Sequence, residues 1–291
     1  MAHKSGFVNI LGNPNVGKST IMNALVGEKL SIITSKSQTT RHRILGILNG
    51  DDFQIVFSDT PGIIKPAYKL QEAMMQSVYT AIDDADLIIY VTDVKEKIDK
   101  NRETLKKIIN STIPVILVIN KIDLANQEIL EQLVERWEKI MPGAVIIPTS
   151  AKEQFNTDIL LKIILGNLPE GPEYFPKDQL TDRYERFFVT EIIREKILKN
   201  YKKEIPYSVE IEIESYKEQD NIVNIRAIIH VTKDSQKGII IGHRGNMLKK
   251  TGTEARKEIE EFIAKPVYLE LYVKVTKNWR DRPGELKKFG Y

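Results

Sequence analysis

Residues Gly12 to Ser19 read Gly-Asn-Pro-Asn-Val-Gly-Lys-Ser, a full match to the pattern G-x-x-x-x-G-K-[ST]. Such a loop wraps phosphate: its glycines let successive backbone N–H groups, and the N-terminus of the following helix, face anionic oxygens. Lys18 can neutralise β and γ phosphates, and Ser19 can bind Mg²⁺ through its hydroxyl. With Asn13, Pro14, Asn15, Val16, Gly17 and Thr20 they make up the candidate phosphate-binding set. A second cluster, Asp59-Thr60-Pro61-Gly62, follows an apolar run. Alone it reads as a turn. Downstream of a phosphate loop, Asp59 can hold Mg²⁺ through a water, and Gly62 can offer its N–H to a γ phosphate.

A third cluster, Asn120-Lys121-Ile122-Asp123, selects the base. The Asp123 carboxylate can accept from the N1–H and N2–H₂ of guanine, donors that adenine lacks on that edge, and a carboxylate left unpaired costs several kcal/mol. Asn120 is expected to address the other side of the purine, and the alkyl stem of Lys121 to cover its face. Ser150-Ala151-Lys152 can supply the Ala151 N–H to guanine O6, although the tripeptide alone also reads as a helix N-cap. The polar stretch Ser31 to Arg43 is long for a connection and carries Ser35, Ser37, Thr39 and Thr40. A threonine there can complete a Mg²⁺ shell of Ser19, Asp59 and itself when the γ phosphate is present. Thr40 is favoured, with Thr39 the alternative.

Elements that position these groups follow from the pattern of apolar residues. Strands are expected at Phe7–Leu11, Ile44–Leu48, Phe53–Phe57, Leu87–Val91, Val115–Ile119 and Val145–Ile147. Amphipathic segments at 19–26, 69–82, 101–109, 127–140 and 157–165 read as helices between them. This alternation specifies a mostly parallel sheet covered on both faces, with one antiparallel hairpin where only Asn49-Gly50-Asp51-Asp52 separates two strands. Three prolines and a glycine within Leu168 to Pro176 break the helical pattern and mark a boundary. The organisation expected is a nucleotide domain over 1–172, a linker over 173–181 and a second domain over 182–291. In the second, helix 184–199, strands 207–216 and 221–232, helical segments 235–241 and 246–264 and strand 267–275 form a small α+β unit.

At 291 residues, a division into about two domains is the ordinary expectation. The chain has no cysteine, which excludes disulfides and cysteine-bound metal and agrees with a reducing cytoplasm. No apolar run approaches the roughly 20 residues a bilayer requires. The net charge of +3 is uneven: residues 1–172 carry 19 Lys+Arg and 20 Asp+Glu, whereas 232–291 carry 14 and 8, a surplus of six. A polyanion-binding surface is therefore expected in the C-terminal part. There, Gly242-His243-Arg244-Gly245 lies between two helical segments, with Lys249, Lys250, Arg256 and Lys257 on the second. Glycines at that spacing let a nucleic-acid backbone come close while Arg244 pairs with phosphate, and an adjoining apolar groove can receive unstacked bases. Gly242, His243, Arg244, Gly245, Lys249 and Lys250 are the candidate RNA-binding residues. Trp279-Arg280-Asp281-Arg282-Pro283 offers either stacking or a packing anchor.

The four nucleotide motifs resemble those of the translation-factor-related class of Ras-like GTPases. Over essentially its full length the chain resembles the bacterial Era family, with Gln38-Thr39-Thr40-Arg41-His42 and Asp59-Thr60-Pro61-Gly62 especially alike. The resemblance implies an α/β P-loop GTPase domain with a mixed six-stranded sheet and helices on both faces, followed by an α+β type II KH domain. It implies hydrolysis of GTP to GDP and phosphate with Mg²⁺, binding of single-stranded 16S rRNA near its 3′ end and of the 30S subunit, and a role in small-subunit maturation. A cytoplasmic location, a peripheral inner-membrane fraction and no stable oligomer complete that expectation. Where Ras-type proteins carry a water-orienting glutamine, this chain has Ile63, which forms no side-chain hydrogen bond. Mg²⁺, Lys18, backbone amides and a second cation must then carry catalysis. The resemblance implies K⁺ at Asn15; the alternative is that Asn15 only shapes the loop. Two other readings are a constitutive RNA-binding module with structural GTP and a GTPase held on anionic lipid by its basic surface.

Overall fold

The computed structural model describes residues 3–96 and 101–291. They divide into two compact units, one of 1–66 with 73–182 and one of 67–72 with 183–291. The first is built from β1 (Lys4–Gly12), α1 (Lys18–Val26), β2 (Ile44–Asn49), β3 (Phe53–Asp59), the part of α2 (Lys69–Asp83) from Ala73 onward, β4 (Leu87–Asp93), α3 (Arg102–Ile109), β5 (Val115–Asn120), α4 (Gln127–Ile140), β6 (Val145–Pro148) and α5 (Thr157–Asn167). The strands lie in the order β2-β3-β1-β4-β5-β6. All pair in parallel except β2 with β3, the hairpin expected from its short connection. Every residue of β4 is buried, as a central parallel strand covered on both faces requires. Three of the four nucleotide motifs begin with the last residue of a strand, Gly12 of β1, Asp59 of β3 and Asn120 of β5, and the fourth follows β6, at the carboxyl edge where open α/β sheets place their ligands.

The segment read as a linker lies along this unit. The Gln54 side chain accepts from the backbone N–H of Tyr174 at 2.7 Å and of Phe175 at 2.9 Å, and donates to the Phe175 carbonyl at 2.8 Å. Ile47 N–H donates to the Leu180 carbonyl at 2.8 Å. The segment at Leu180 therefore covers part of the free edge of β2, which would otherwise offer unpaired backbone groups.

The second unit contains α6 (Glu185–Asn200), α7 (Ile205–Ser208), β7 (Glu210–Glu218), β8 (Val223–Val231), α8 (Asp234–Ile241), α9 (Asn246–Ile263), β9 (Val267–Val275) and α10 (Pro283–Lys288). Its sheet order is β7-β8-β9, antiparallel then parallel. Ile192, Ile193, Ile197, Ile225, Ile229, Ile240, Ala255 and Ile259 meet in its core. A strand expected from Tyr207 starts later. Pro206 instead sits in the first turn of α7, where its missing N–H costs nothing, and β7 begins at Glu210. Trp279 resolves as a packing anchor: it is fully buried, donates to the Ser208 carbonyl at 3.0 Å and meets Phe289 edge-on.

Candidate functional site

The phosphate loop is shaped by its second glycine. Gly17 has φ 102°, and a Cβ there would stand 2.1 Å from Asn120 Nδ2. A side chain would thus meet both backbone strain and a fixed neighbour. Asn120 is fixed because its amide donates to the Val16 carbonyl at 2.9 Å and its Oδ1 accepts from the Ala151 N–H at 3.1 Å. Asn120 braces the phosphate loop to the 150–152 loop, and Ala151 directs its N–H to that brace.

Lys18 is buried at the start of α1, with Nζ donating to the carbonyls of Gly12 at 3.1 Å and Asn13 at 2.9 Å. Burial lowers its pKa to about 8, opposed by the charges of Asp59 and Glu96. Beside it, Asp59 Oδ2 accepts from Ser19 Oγ at 2.6 Å and from Thr40 Oγ1 at 3.1 Å, and the two hydroxyls are 3.0 Å apart. Thr39 faces elsewhere, with its hydroxyl 2.6 Å from Thr34 Oγ1 and donating to the Lys36 carbonyl at 2.7 Å. Of the two threonines, Thr40 reaches Asp59 and Thr39 reaches the Lys36 carbonyl. Burial pushes the Asp59 carboxyl up, against the charge of Lys18 and its hydroxyl donors. Its Oδ1 is buried with no hydrogen-bond partner among the described residues. An unsatisfied carboxylate oxygen beside two hydroxyls is a hard-oxygen donor set that fits Mg²⁺, and a bound cation reverses the preference for the neutral acid.

These groups border a cavity of about 380 Å³ lined by Asn15, Gly17, Lys18, Ser19, Thr20, Thr40, Gly62 and Lys121, among others. Gly62 packs so closely on the loop that a Cβ would lie 2.8 Å from Pro14 Cα. Thr60 and Pro61 are buried, with the Thr60 hydroxyl donating to the Ile10 carbonyl at 2.8 Å. Ile63 is buried in the core with Leu11, Met75 and Val78, so its side chain does not face the cavity. Asn15 is exposed at φ 67° and donates from Nδ2 to the Ser35 carbonyl at 3.0 Å. Val16 is buried in the core, and Asn13 is tied to Glu96 and to Asn101. Sequence reasoning missed Asn101, which also donates to the Ile63 carbonyl at 2.7 Å and so links the phosphate loop to the segment after Gly62. No local motif announces such a long-range bond.

At the base side, Lys121 donates to the Asn15 carbonyl and to Asp93 at 2.6 Å, which lays its stem beside the loop. Asp123 is exposed and accepts from Ser150 Oγ at 2.6 Å. Ser150 is not a helix cap. It exchanges backbone hydrogen bonds with Phe155 at 3.2 and 3.0 Å, closing a loop that carries Ala151 and the exposed Lys152 ahead of α5.

In the smaller unit, Gly242 to Gly245 join α8 to α9. Gly242 has φ 72°, and a Cβ there would lie 2.7 Å from Met247 Cβ. Arg244 adopts φ 50°, and His243, Arg244, Lys249 and Lys250 are exposed. His243, Arg244 and Lys249 form no side-chain hydrogen bond or ion pair among the described residues, while Lys250 lies 3.8 Å from Glu254. Next to this loop a groove of about 530 Å³ runs between α9 and β9, lined by Leu248, Lys249, Gly252, Arg256, Tyr268 and Leu271 among others. Sequence reasoning missed Leu248, Gly252 and Tyr268, although Tyr268 and Tyr272 are exposed aromatics at the outward positions of the alternating strand β9.

A phosphate-binding cleft at the carboxyl edge of a mixed sheet, followed by a three-stranded unit with a glycine-flanked loop, defines a P-loop GTPase joined to a KH domain. A family model described as 50S ribosome-binding GTPase matches residues 7–121, and a KH domain model matches 204–280. The chain belongs to the Era family of GTPases: it is 47% identical to GTPase Era of Clostridium kluyveri over 99% of both chains. Identity to GTPase Era of Staphylococcus haemolyticus is 44%, over 99% of this chain and 97% of that one. A solved Era in complex with MgGDPNP and nucleotides 1506-1542 of 16S ribosomal RNA is 40% identical, covers 99% of each chain and superposes with a TM-score of 0.95. A variant of Aquifex aeolicus Era bound to GDP·AlF4⁻ is 41% identical over 99% of each chain, also with a TM-score of 0.95. The chain thus binds GTP and GDP and hydrolyses GTP. Among the described residues, no helix is long and apolar enough to cross a membrane.

Proposed function

We propose that the chain is a cytoplasmic GTP-driven switch that grips single-stranded 16S rRNA near its 3′ end and assists assembly of the 30S subunit. The observation that carries the nucleotide half is the convergence of Ser19, Thr40 and Asp59, from three separate segments, beside buried Lys18. Lys18 holds the β and γ phosphates, Ser19, Thr40 and Asp59 hold Mg²⁺, and Mg²⁺ supplies charge neutralisation on the transferring phosphoryl group. Gly12 to Thr20 wrap the phosphates, Gly62 offers its N–H to the γ phosphate, and Asp123, held by Ser150, reads guanine. Residues 1–172 form the GTP-binding domain and 182–291 the RNA-binding domain, joined through 173–181. In the latter, Gly242 to Gly245 clamp the RNA backbone with Arg244, Lys249 and Lys250 on phosphate, and bases enter the α9/β9 groove. We assign the basic C-terminal surface to RNA and not to lipid, in keeping with the solved Era that carries an RNA fragment and a GTP analogue together.

Gly242→Asp tests the RNA half. The substitution adds a side chain where none fits and a negative charge beside phosphate, so affinity for a single-stranded RNA probe should fall at least about tenfold with GTP turnover unchanged. RNA affinity equal to the wild type would contradict the assignment. We also place K⁺ beside Asn15, since Ile63 points into the core and supplies no group to the reacting water. Turnover should be slow and faster in K⁺ than in Na⁺; equal rates in the two salts would remove the second cation from the mechanism.

A further inference from the structure

One face of the three-stranded sheet is turned away from α6, α8 and α9, whose side chains pack on the other face. Pairing places Lys217 opposite Asn224 and Asn224 opposite Tyr268, so one row crosses all three strands on that face. The next row is Ser215, Arg226 and Glu270. Together these residues border a hollow of about 300 Å³. Tyr268 is 54% exposed. The side chains of Lys217 and Asn224 form no hydrogen bond or ion pair among the described residues. Arg226, by contrast, is held by Glu270 at 2.9 Å and lies 5.5 Å from the ring centre of Tyr272. The far end of the same face is closed by the C-terminal helix, through Lys288 with Glu212 at 2.8 Å and Phe289 against His230.

Tyr268 also lines the α9/β9 groove, so the two hollows share a wall. A strand leaving that groove over the edge of β9 meets an aromatic face, then a free carboxamide, then a free ammonium. Those are the groups that stack a base, read its edge and hold its phosphate. We propose that the open sheet face around Tyr268, Asn224 and Lys217 is a second nucleotide site, which takes RNA emerging from the groove across β9. The proposal rests on the RNA reading of the Gly242 to Gly245 loop.

The test uses the full chain with a GTP analogue and two fluorescent oligoadenylates. One has about four nucleotides, matching the span of a KH groove, and the other about ten. Wild type should bind the longer probe more tightly. Lys217→Ala with Asn224→Ala, neither of which lines the groove, should weaken the longer probe about 5- to 10-fold and leave the shorter within about twofold. The salt dependence of the longer probe should fall by about one phosphate contact. Equal wild-type affinity for both probes, or a double variant that binds the longer probe like wild type or weakens both alike, would overturn the second site. Gly242→Asp separates the two ideas: if it weakens neither probe, the groove reading fails and the second site fails with it.

Discussion

Lys18→Ala is expected to slow GTP turnover about a hundred- to a thousandfold at saturating nucleotide, the usual cost of removing one preorganised charge from a phosphoryl-transfer site. The ammonium sits fully inside the loop, where burial lowers its pKa to about 8 and its donors rest on the Gly12 and Asn13 carbonyls. It is therefore a cation held partly desolvated against its own preference, and phosphate oxygens are the groups that relieve it. Stability responds to the same desolvation. Removing a disfavoured buried charge should leave the thermal midpoint measured without nucleotide unchanged or raised, while the stabilisation conferred by GTP shrinks. Phosphate release under single-turnover conditions and melting with and without GTP check both. Turnover within about threefold of wild type, or a collapse of the nucleotide-free protein, would show that Lys18 is structural.

Asp123→Asn is expected to lower GTP affinity by at least about a hundredfold and to raise affinity for xanthosine triphosphate. The carboxylate accepts from two guanine donors; an amide presents its own donor to one of them, and a site built on paired hydrogen bonds discriminates strongly when they are lost. Xanthine replaces the exocyclic amine with a carbonyl, which matches the amide. Ser150 Oγ, 2.6 Å from the carboxylate, sets its orientation. Ser150→Ala should accordingly cost GTP affinity a smaller factor, about fivefold, without changing base preference. Competition binding with GTP, XTP and ATP distinguishes these outcomes. Unaltered preference for guanine in Asp123→Asn would place the base elsewhere.

Much of this site was legible because its parts are local. Gly12 to Ser19, Asp59 to Gly62 and Asn120 to Asp123 each combine a strand end with residues whose chemistry is defined within a few positions, and periodicity located the strands. What was not legible depends on distance. Thr39 and Thr40 are adjacent and chemically identical, and only the path of the loop puts Thr40 on Asp59. The bonds from Asn120 to Val16 and Ala151 span segments far apart in sequence, and no local motif announces them. Asn101 and the groove-lining Leu248 and Gly252 carry no signature of their own. The turn at Ile205 to Ser208 overrode a strand pattern because Pro206 favours a helix start.

In the proposed switch, nucleotide state times the grip on RNA. Capture of single-stranded RNA carrying the 3′ region of 16S rRNA, compared between the protein loaded with a non-hydrolysable GTP analogue and with GDP, tests it most directly. Ultraviolet crosslinking followed by sequencing locates the contacts. Recovery should be several-fold greater in the triphosphate state, with crosslinks at Gly242 to Gly245 and the α9/β9 groove. Equal recovery in the two states would contradict it and leave the chain an RNA-binding protein whose GTPase runs uncoupled.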